Sequence, residues 1–217
     1  SKNWRDQPDL YRPAQYCKLK PGNSVLSPLK FPMCHGPGKS IPGPSGDVNP
    51  PDNGAFNFLE DILEVQSLFA AFLAIVHPEL YNHQMALRRT LVEGNVDVHH
   101  KSVVEKILSV WASPFMGMAV VSNQETPVRR DMQGGGTYLY DLLASVGSYN
   151  GGRLGLSSLG LRFLYNPGCM VLLVGFSLQH GAARVEGDRV CLASFIKTNL
   201  SEAIDLTMEY PYLPMPQ

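Results

Sequence analysis

Cysteine pairs and long apolar runs are scarce in this sequence, and each scarcity excludes a class of protein. The chain has four cysteines, none of them in a CxxC pair, at positions Cys17, Cys34, Cys169 and Cys191. This spacing is typical of reduced thiols and argues against a disulfide framework or a zinc site. No apolar run is long enough to span a membrane, and no signal-peptide pattern begins the chain. We therefore expect an intracellular protein, nuclear or cytoplasmic, with no membrane partner.

Charge is also low. Charged residues make up 17% of the chain and the net charge is −1, so no overall basic charge predicts nucleic-acid binding. A local basic patch is still compatible with this composition. Hydrophobic residues make up 44% of the 217 residues, which is typical of one folded domain. The first 55 residues are rich in proline and glycine and predict an irregular arm that wraps the core. Residues 56–217 are expected to form a single domain.

The apolar pattern changes its period at about residue 115. Before it, helical spacing predicts helices over residues 58–76, 78–91 and 102–111. After it, short apolar runs predict strands over residues 118–121, 139–147, 161–165, 169–175 and 188–196, with turns at 150–152, 166–168 and 186–187. Helices followed by closely spaced strands indicate an α+β fold, with a helical part over 56–113 and an antiparallel sandwich or barrel over 115–200.

Three polar residues of the second half supply most of the arrangement that a non-haem iron(II) oxygenase needs. Such an enzyme holds iron on one face through two imidazoles and one carboxylate, and leaves the other face open. Asp131 precedes a glycine run, His180 follows a buried strand, and Arg189 begins the last strong strand. An arginine about ten residues after the second histidine suits the far carboxylate of 2-oxoglutarate, because its fork binds a carboxylate through two hydrogen bonds.

Several segments make the likeness specific. They are 140–143 (YDLL), 146–149 (VGSY), 152–154 (GRL), 159–160 (LG), 165–168 (YNPG), 178–181 (LQHG) and 187–191 (GDRVC). Together they resemble the TET/JBP-like dioxygenases of fungi, which oxidise 5-methylcytosine in DNA with Fe(II) and 2-oxoglutarate. The resemblance covers about residues 115–200.

This resemblance implies a double-stranded β-helix, or jelly-roll, with the N-terminal helices packed on it. It also implies that Asp131 and His180 bind Fe(II) and act in catalysis, and that Arg189 binds 2-oxoglutarate. The implied partner is DNA containing methylated cytosine, recognised by a monomer. The base must leave the duplex to reach the metal, and by its position Asn123 would contact the polar edge of that base.

One position departs from the family pattern His-x-Asp, because this chain has Arg129 two residues before Asp131. A guanidinium has no lone pair to offer a metal. Arg129 either faces solvent or takes the vacated ligand position and pairs with Asp131; alternation along a strand favours the pair.

Three functions stay open: a dioxygenase that oxidises 5-methylcytosine or a related base; a metal-free relative that binds nucleic acid or a small carboxylate; and an oxygenase of the same fold with another substrate.

Overall fold

The computed structural model describes residues 4–30, 41–49, 54–94, 96–132, 136–197 and 199–200. Four helices come before most of the strands: α1 Ala55–Asp61, α2 Leu63–Val76, α3 Pro78–Val92 and α4 Lys101–Ser109. The prediction for α3 is confirmed, and α4 ends two residues before its predicted end. The predicted helix over 58–76 is interrupted at Ile62, whose φ is −100° and ψ 14°. There the buried Gln66 side chain donates to the carbonyl of Leu59 at 3.0 Å, so a side chain satisfies a carbonyl at the break.

In the described part of the chain, nine strands follow a jelly-roll path in two antiparallel sheets. They are β1 Gly22–Leu26, β2 Gly117–Ser122, β3 Thr126–Arg129, β4 Asp141–Asn150, β5 Arg153–Leu156, β6 Leu161–Leu164, β7 Met170–Leu173, β8 His180–Ala182 and β9 Glu186–Phe195. The larger sheet has the order β1-β2-β9-β4-β7, and the smaller one β3-β8-β5-β6. The expected α+β double-stranded β-helix is therefore confirmed.

Alternating side chains of β4 and β9 face two different layers. Leu142 and Leu192 pack with the helices in the larger core, whereas Leu143 packs with β5 and β7 between the two sheets. Because successive residues of a strand point to opposite faces, the odd-numbered residues from Asp141 to Ser145 face the inside of the jelly-roll. The same alternation turns Arg189 and Cys191 of β9 to the inside.

Two expectations about extended segments are wrong. Residues 22–26 lie in the predicted irregular arm, yet they form β1 and pair with β2 along its length, from Gly22 opposite Ser122 to Leu26 opposite Met118. Residues 22–26 of the arm are thus part of the larger sheet. Residues 186–187 are also not a turn, because β9 begins at Glu186 and Gly187 pairs with Tyr149. The described residues contain no helix long and apolar enough to cross a membrane.

Gly147 lies where β4 and β9 approach closely beside the site. It pairs with Arg189, has a φ of +129°, and a Cβ there would lie 2.2 Å from the Asp188 carbonyl oxygen. Gly147→Ala is expected to lower the free energy of unfolding by about 3 kcal/mol, through backbone strain and displacement of a neighbouring strand. Urea denaturation followed by circular dichroism measures this loss.

Gly151→Ala is the matched control for that substitution. Gly151 also has a positive φ, +73°, but a Cβ there would meet nothing within 4 Å. Its cost should be the conformational part alone, about 1 kcal/mol. Equal losses in the two variants would show that the close approach at Gly147 does not matter.

Candidate functional site

β3 and β8 bring the predicted site residues together. Arg129, the last residue of β3, pairs with His180, the first residue of β8, and Asp131 follows two residues later. The His180 Nε2 and Asp131 Oδ2 atoms are 3.4 Å apart. His180 is buried, and its Nδ1 lies 3.0 Å from the carbonyl of Leu178, which fixes the orientation of the ring. The Asp131–His180 neighbourhood implied by the resemblance is present.

Arg129 points to the same side as Asp131 and forms a two-point ion pair with it. Its Nε donates to Asp131 Oδ1 at 2.8 Å, and its Nη2 donates to Oδ2 at 3.3 Å. This is the internal pair favoured by strand alternation. Burial raises the pKa of Asp131, but the hydrogen bond with His180 and the charge of Arg129 outweigh it, so that this pKa lies below its usual value.

Asp141 is a site residue that the sequence did not reveal. It is the first residue of β4, it is 8% exposed, and its carboxyl accepts the backbone N–H of Gly175. The Gly175 carbonyl in turn accepts the N–H of Asp131 at 2.8 Å, so the backbone of this one residue links the two carboxyl residues. Burial and then the charge of Asp131 raise the pKa of Asp141 to about 7.

The absence of a side chain at Gly175 leaves the three polar groups close together. A Cβ at Gly175 would lie 2.5 Å from Asp141 Oδ2, 3.4 Å from His180 Cε1 and 3.5 Å from Asp131 Oδ2. The inward-facing period of β4 could have pointed to Asp141 if the strand's first residue had been known. The resemblance segment at 140–143 contained it without assigning it a role.

Arg189 is buried at 3% exposure and spans the gap between the two sheets. Its Nη1 donates to the carbonyl of Ala183 at 2.8 Å, and its Nη2 donates to that of Gln124 at 2.6 Å. Among the residues that the structure describes, no carboxylate forms an ion pair with Arg189. A buried cation without a counter-ion agrees with a site for an acidic ligand, and the expected 2-oxoglutarate contact stays a prediction.

Asn123 has a structural role at the start of β9. Its Nδ2 donates to the carbonyl of Leu19 and to Asp188 Oδ1, both at 2.8 Å. Its Oδ1 accepts the backbone N–H of Arg189 at 2.9 Å. Both polar atoms of this buried amide thus form hydrogen bonds within the protein, so we do not propose the expected contact of Asn123 with a base.

The arrangement of these side chains does not fit Fe(II). Within the described ranges, no group of three His, Cys, Asp or Glu side chains is placed to hold a metal. Arg129 hydrogen-bonds both carboxylate oxygens of Asp131, and its fixed charge would repel a cation beside His180. Fe(II) in this class of enzyme requires three lone-pair donors on one face, and a guanidinium supplies none.

Removing the charge of Asp131 tests whether the pair belongs to the fold. In a structural pair, Asp131→Asn leaves the partly buried Arg129 without its counter-ion and should cost about 1 to 2 kcal/mol of stability, allowing for solvent at the pair. The double variant Arg129→Met with Asp131→Asn should recover most of this loss. Thermal unfolding of the variants gives the coupling energy; a single variant as stable as the unchanged chain would contradict a structural pair.

Comparisons with known proteins agree with this fold. A family model for Tet_JBP, described as the oxygenase domain of the 2OGFeDO superfamily, matches residues 47–198. The solved structure of NgTET1 in complex with 5mC DNA is similar, with 13% identity and a TM-score of 0.54; the match covers 83% of this chain and 62% of that one. Ectoine synthase from P. lautus matches at 14% identity with a TM-score of only 0.25, over 46% of this chain and 73% of its own. No curated protein matches the sequence.

Proposed function

Because the chain belongs to the Tet/JBP family of 2-oxoglutarate and iron oxygenase domains, we propose that it recognises methylated cytosine in DNA through an oxygenase fold whose iron position Arg129 closes. The single observation that carries the proposal is the two-point pair of Arg129 with Asp131, 2.8 Å at its shorter contact. In this proposal the protein binds the base as a monomer, in the nucleus or cytoplasm, and does not oxidise it.

The charges of the site support an anionic ligand such as DNA. Arg5 and Arg129 lie beside the carboxyl of Asp131, and the charge of Arg129 also acts on Asp141. Arg189, on the inward face of β9, is a third cation inside the jelly-roll. Burial and then the charge of Arg129 lower the pKa of Arg5, as expected where guanidinium groups crowd together. The chain as a whole carries a net charge of −1, so any attraction of a phosphate or carboxylate would come from these local guanidinium groups.

The likeness in fold to NgTET1 supports the choice of DNA. That protein was solved with DNA that contains 5-methylcytosine. An enzyme or reader that reaches the methyl group of a base must take the base out of the duplex stack. The match spans 62% of the length of the NgTET1 structure.

A second candidate is oxidation of 5-methylcytosine with Fe(II) and 2-oxoglutarate. The proximity of Asp131 and His180 favours it, and so does the buried Arg189, which has no carboxylate partner among the described residues. Oxidation requires that Arg129 move away from Asp131. This movement would break an ion pair at a partly buried position, where the attraction between the two charges opposes it.

One set of measurements separates the candidates. The purified protein is incubated with Mn(II), as a stand-in for iron, and with 2-oxoglutarate; bound metal and released succinate are measured, while fluorescence anisotropy gives the affinity for methylated and unmethylated oligonucleotides. We expect less than stoichiometric metal, no succinate, and tighter binding of the methylated strand. Stoichiometric metal with succinate release would support the second candidate, and equal affinity for both oligonucleotides would sink the assignment to methylated cytosine.

A further inference from the structure

Residues 4–16, called the strap below, lie along the edge of the site. Backbone hydrogen bonds hold the strap to the β2–β3 loop: Glu125 N–H donates to the Leu10 carbonyl at 2.7 Å, and Arg12 N–H donates to the Asn123 carbonyl at 2.8 Å. The Gln124 side chain adds hydrogen bonds to the carbonyls of Trp4 and Arg5, both at 3.3 Å. No side chain of the strap is buried, so hydrogen bonds hold it without an apolar core of its own.

The strap ends over the functional site with an aromatic ring. The guanidinium carbon of Arg129 lies 4.3 Å from the centroid of the Trp4 ring. Arg129 uses its Nε and Nη2 edge for Asp131, which leaves its flat face free for stacking. Its remaining nitrogen, Nη1, is buried and has no hydrogen-bond partner among the residues that the structure describes. The closed strap therefore satisfies the face of the guanidinium and leaves one of its donors unsatisfied.

We propose that this face of Arg129 is a ring-binding subsite, which the Trp4 indole occupies in the free protein and a nucleobase occupies in the complex with DNA. The inference rests on the proposed function and adds its regulation: the strap competes with the base. Guanidinium planes stack on bases as they do on aromatic side chains. A segment without buried side chains opens locally at low free energy, and opening exposes Nη1 to a hydrogen-bond acceptor.

Trp4→Ala tests the competition. Trp4→Ala removes the cation–π contact with Arg129, and also one with Arg5 inside the strap, 4.9 Å from the ring centroid. Loss of the Arg129 contact should weaken the closed strap, so that a methylated single-stranded oligonucleotide binds about five- to tenfold more tightly. Tyr16→Ala is the matched control, because this residue is in the same strap, is 64% exposed and does not reach Arg129. Its affinity should equal that of the unchanged chain. Fluorescence anisotropy at one fixed salt concentration gives each value.

Tryptophan fluorescence reports the displacement directly. The chain has two tryptophans; Trp111 is 1% exposed and donates to the Phe115 carbonyl at 2.7 Å, so acrylamide should reach only Trp4. Adding the oligonucleotide should increase quenching in the unchanged chain and leave it constant in Trp4→Phe. Hydrogen exchange at the Glu125 and Arg12 amides, measured without DNA, should be much faster than at the paired amides of β4.

Each outcome decides a different point. Weaker or unchanged binding by Trp4→Ala overturns the competition, and so does binding that leaves Trp4 quenching constant. If no variant binds the oligonucleotide, the proposed function fails and the strap is judged by exchange alone. Exchange of the Glu125 and Arg12 amides only through global unfolding would then overturn the displaceable strap, while fast exchange would support it.

Discussion

Replacing Arg129 with histidine is expected to give this chain a stoichiometric metal site. The substitution removes the cation from Asp131 and places an imidazole opposite His180 in the β3–β8 ladder. Two imidazoles and one carboxylate then face one point, which is the ligand set of non-haem Fe(II) oxygenases. We expect the affinity for Mn(II) to rise about 100-fold or more, given that even indirect support of a metal ligand changes affinity 10- to 100-fold. Isothermal titration calorimetry under anaerobic conditions measures this gain.

Arg130→His is the control for that gain. It adds the same imidazole one residue later, at an exposed position that alternation turns away from Asp131. The metal affinity of this variant should match that of the unchanged chain. Arg129→Ala separates relief of repulsion from ligation, because it frees Asp131 without adding a donor and should recover only a small part of the gain. An Arg129→His protein that still binds no metal would show that the rest of the site has also lost its geometry.

The same variant tests the cofactor prediction for Arg189. If the inside of the jelly-roll retains a 2-oxoglutarate site, Arg129→His with metal should release succinate in the presence of 2-oxoglutarate. Mass spectrometry of nucleosides measures the 5-methylcytosine that remains. Release of succinate without any change in 5-methylcytosine would support the family's chemistry and reject DNA as the substrate. This separation matters because proteins that share a fold can differ in activity.

The sequence predicted the parts of this fold that follow from local pattern. Helical spacing predicted α3, and short apolar runs predicted β7 and most of β9, but no strand was predicted at β8, where His180 lies. It did not predict β1, because proline- and glycine-rich composition argues locally against a strand while pairing with β2 is decided by residues about a hundred positions away. The contact of Trp4 with Arg129 is non-local in the same way, since no spacing in the sequence joins them.

Site residues divide by the same rule. Asp131 and His180 were found because the chemistry of a metal site dictates residue types at recognisable positions. Asp141 was missed because its place in the site depends on burial and on the backbone of Gly175, which links it to Asp131. Only the three-dimensional arrangement shows that this carboxyl has lost water and gained a negative neighbour, which are the two causes of its raised pKa.

Asp141→Asn is expected to stabilise the protein at pH 8 and to change little near pH 4. The folded pKa of Asp141 is about 7, against about 3.9 in an unfolded chain. Because its pKa is raised, Asp141 keeps its proton to a higher pH in the folded state than in the unfolded chain. Its contribution to the free energy of unfolding is therefore fully present below pH 4 and is lost as the pH rises to 7. The loss is on the order of 4 kcal/mol. Asparagine cannot ionise, and the variant should lack this slope in urea denaturation between pH 4 and 8.

Asp188→Asn gives the opposite sign and serves as the control for Asp141→Asn. Desolvation opposes the shift, but hydrogen bonds from the Asn123 amide and from the Lys18 and Leu19 backbone hold the pKa of Asp188 below its usual value. Its stability is therefore present at neutral pH and lost in acid, so Asp188→Asn should destabilise at pH 8. If the free energy of unfolding of the unchanged chain were constant from pH 4 to 7, the pKa of Asp141 would not be raised in the folded state. Carboxyls whose pKa is raised by burial and by a negative neighbour are concentrated in functional sites, and this is the reason to test Asp141 beside Asp131 and His180.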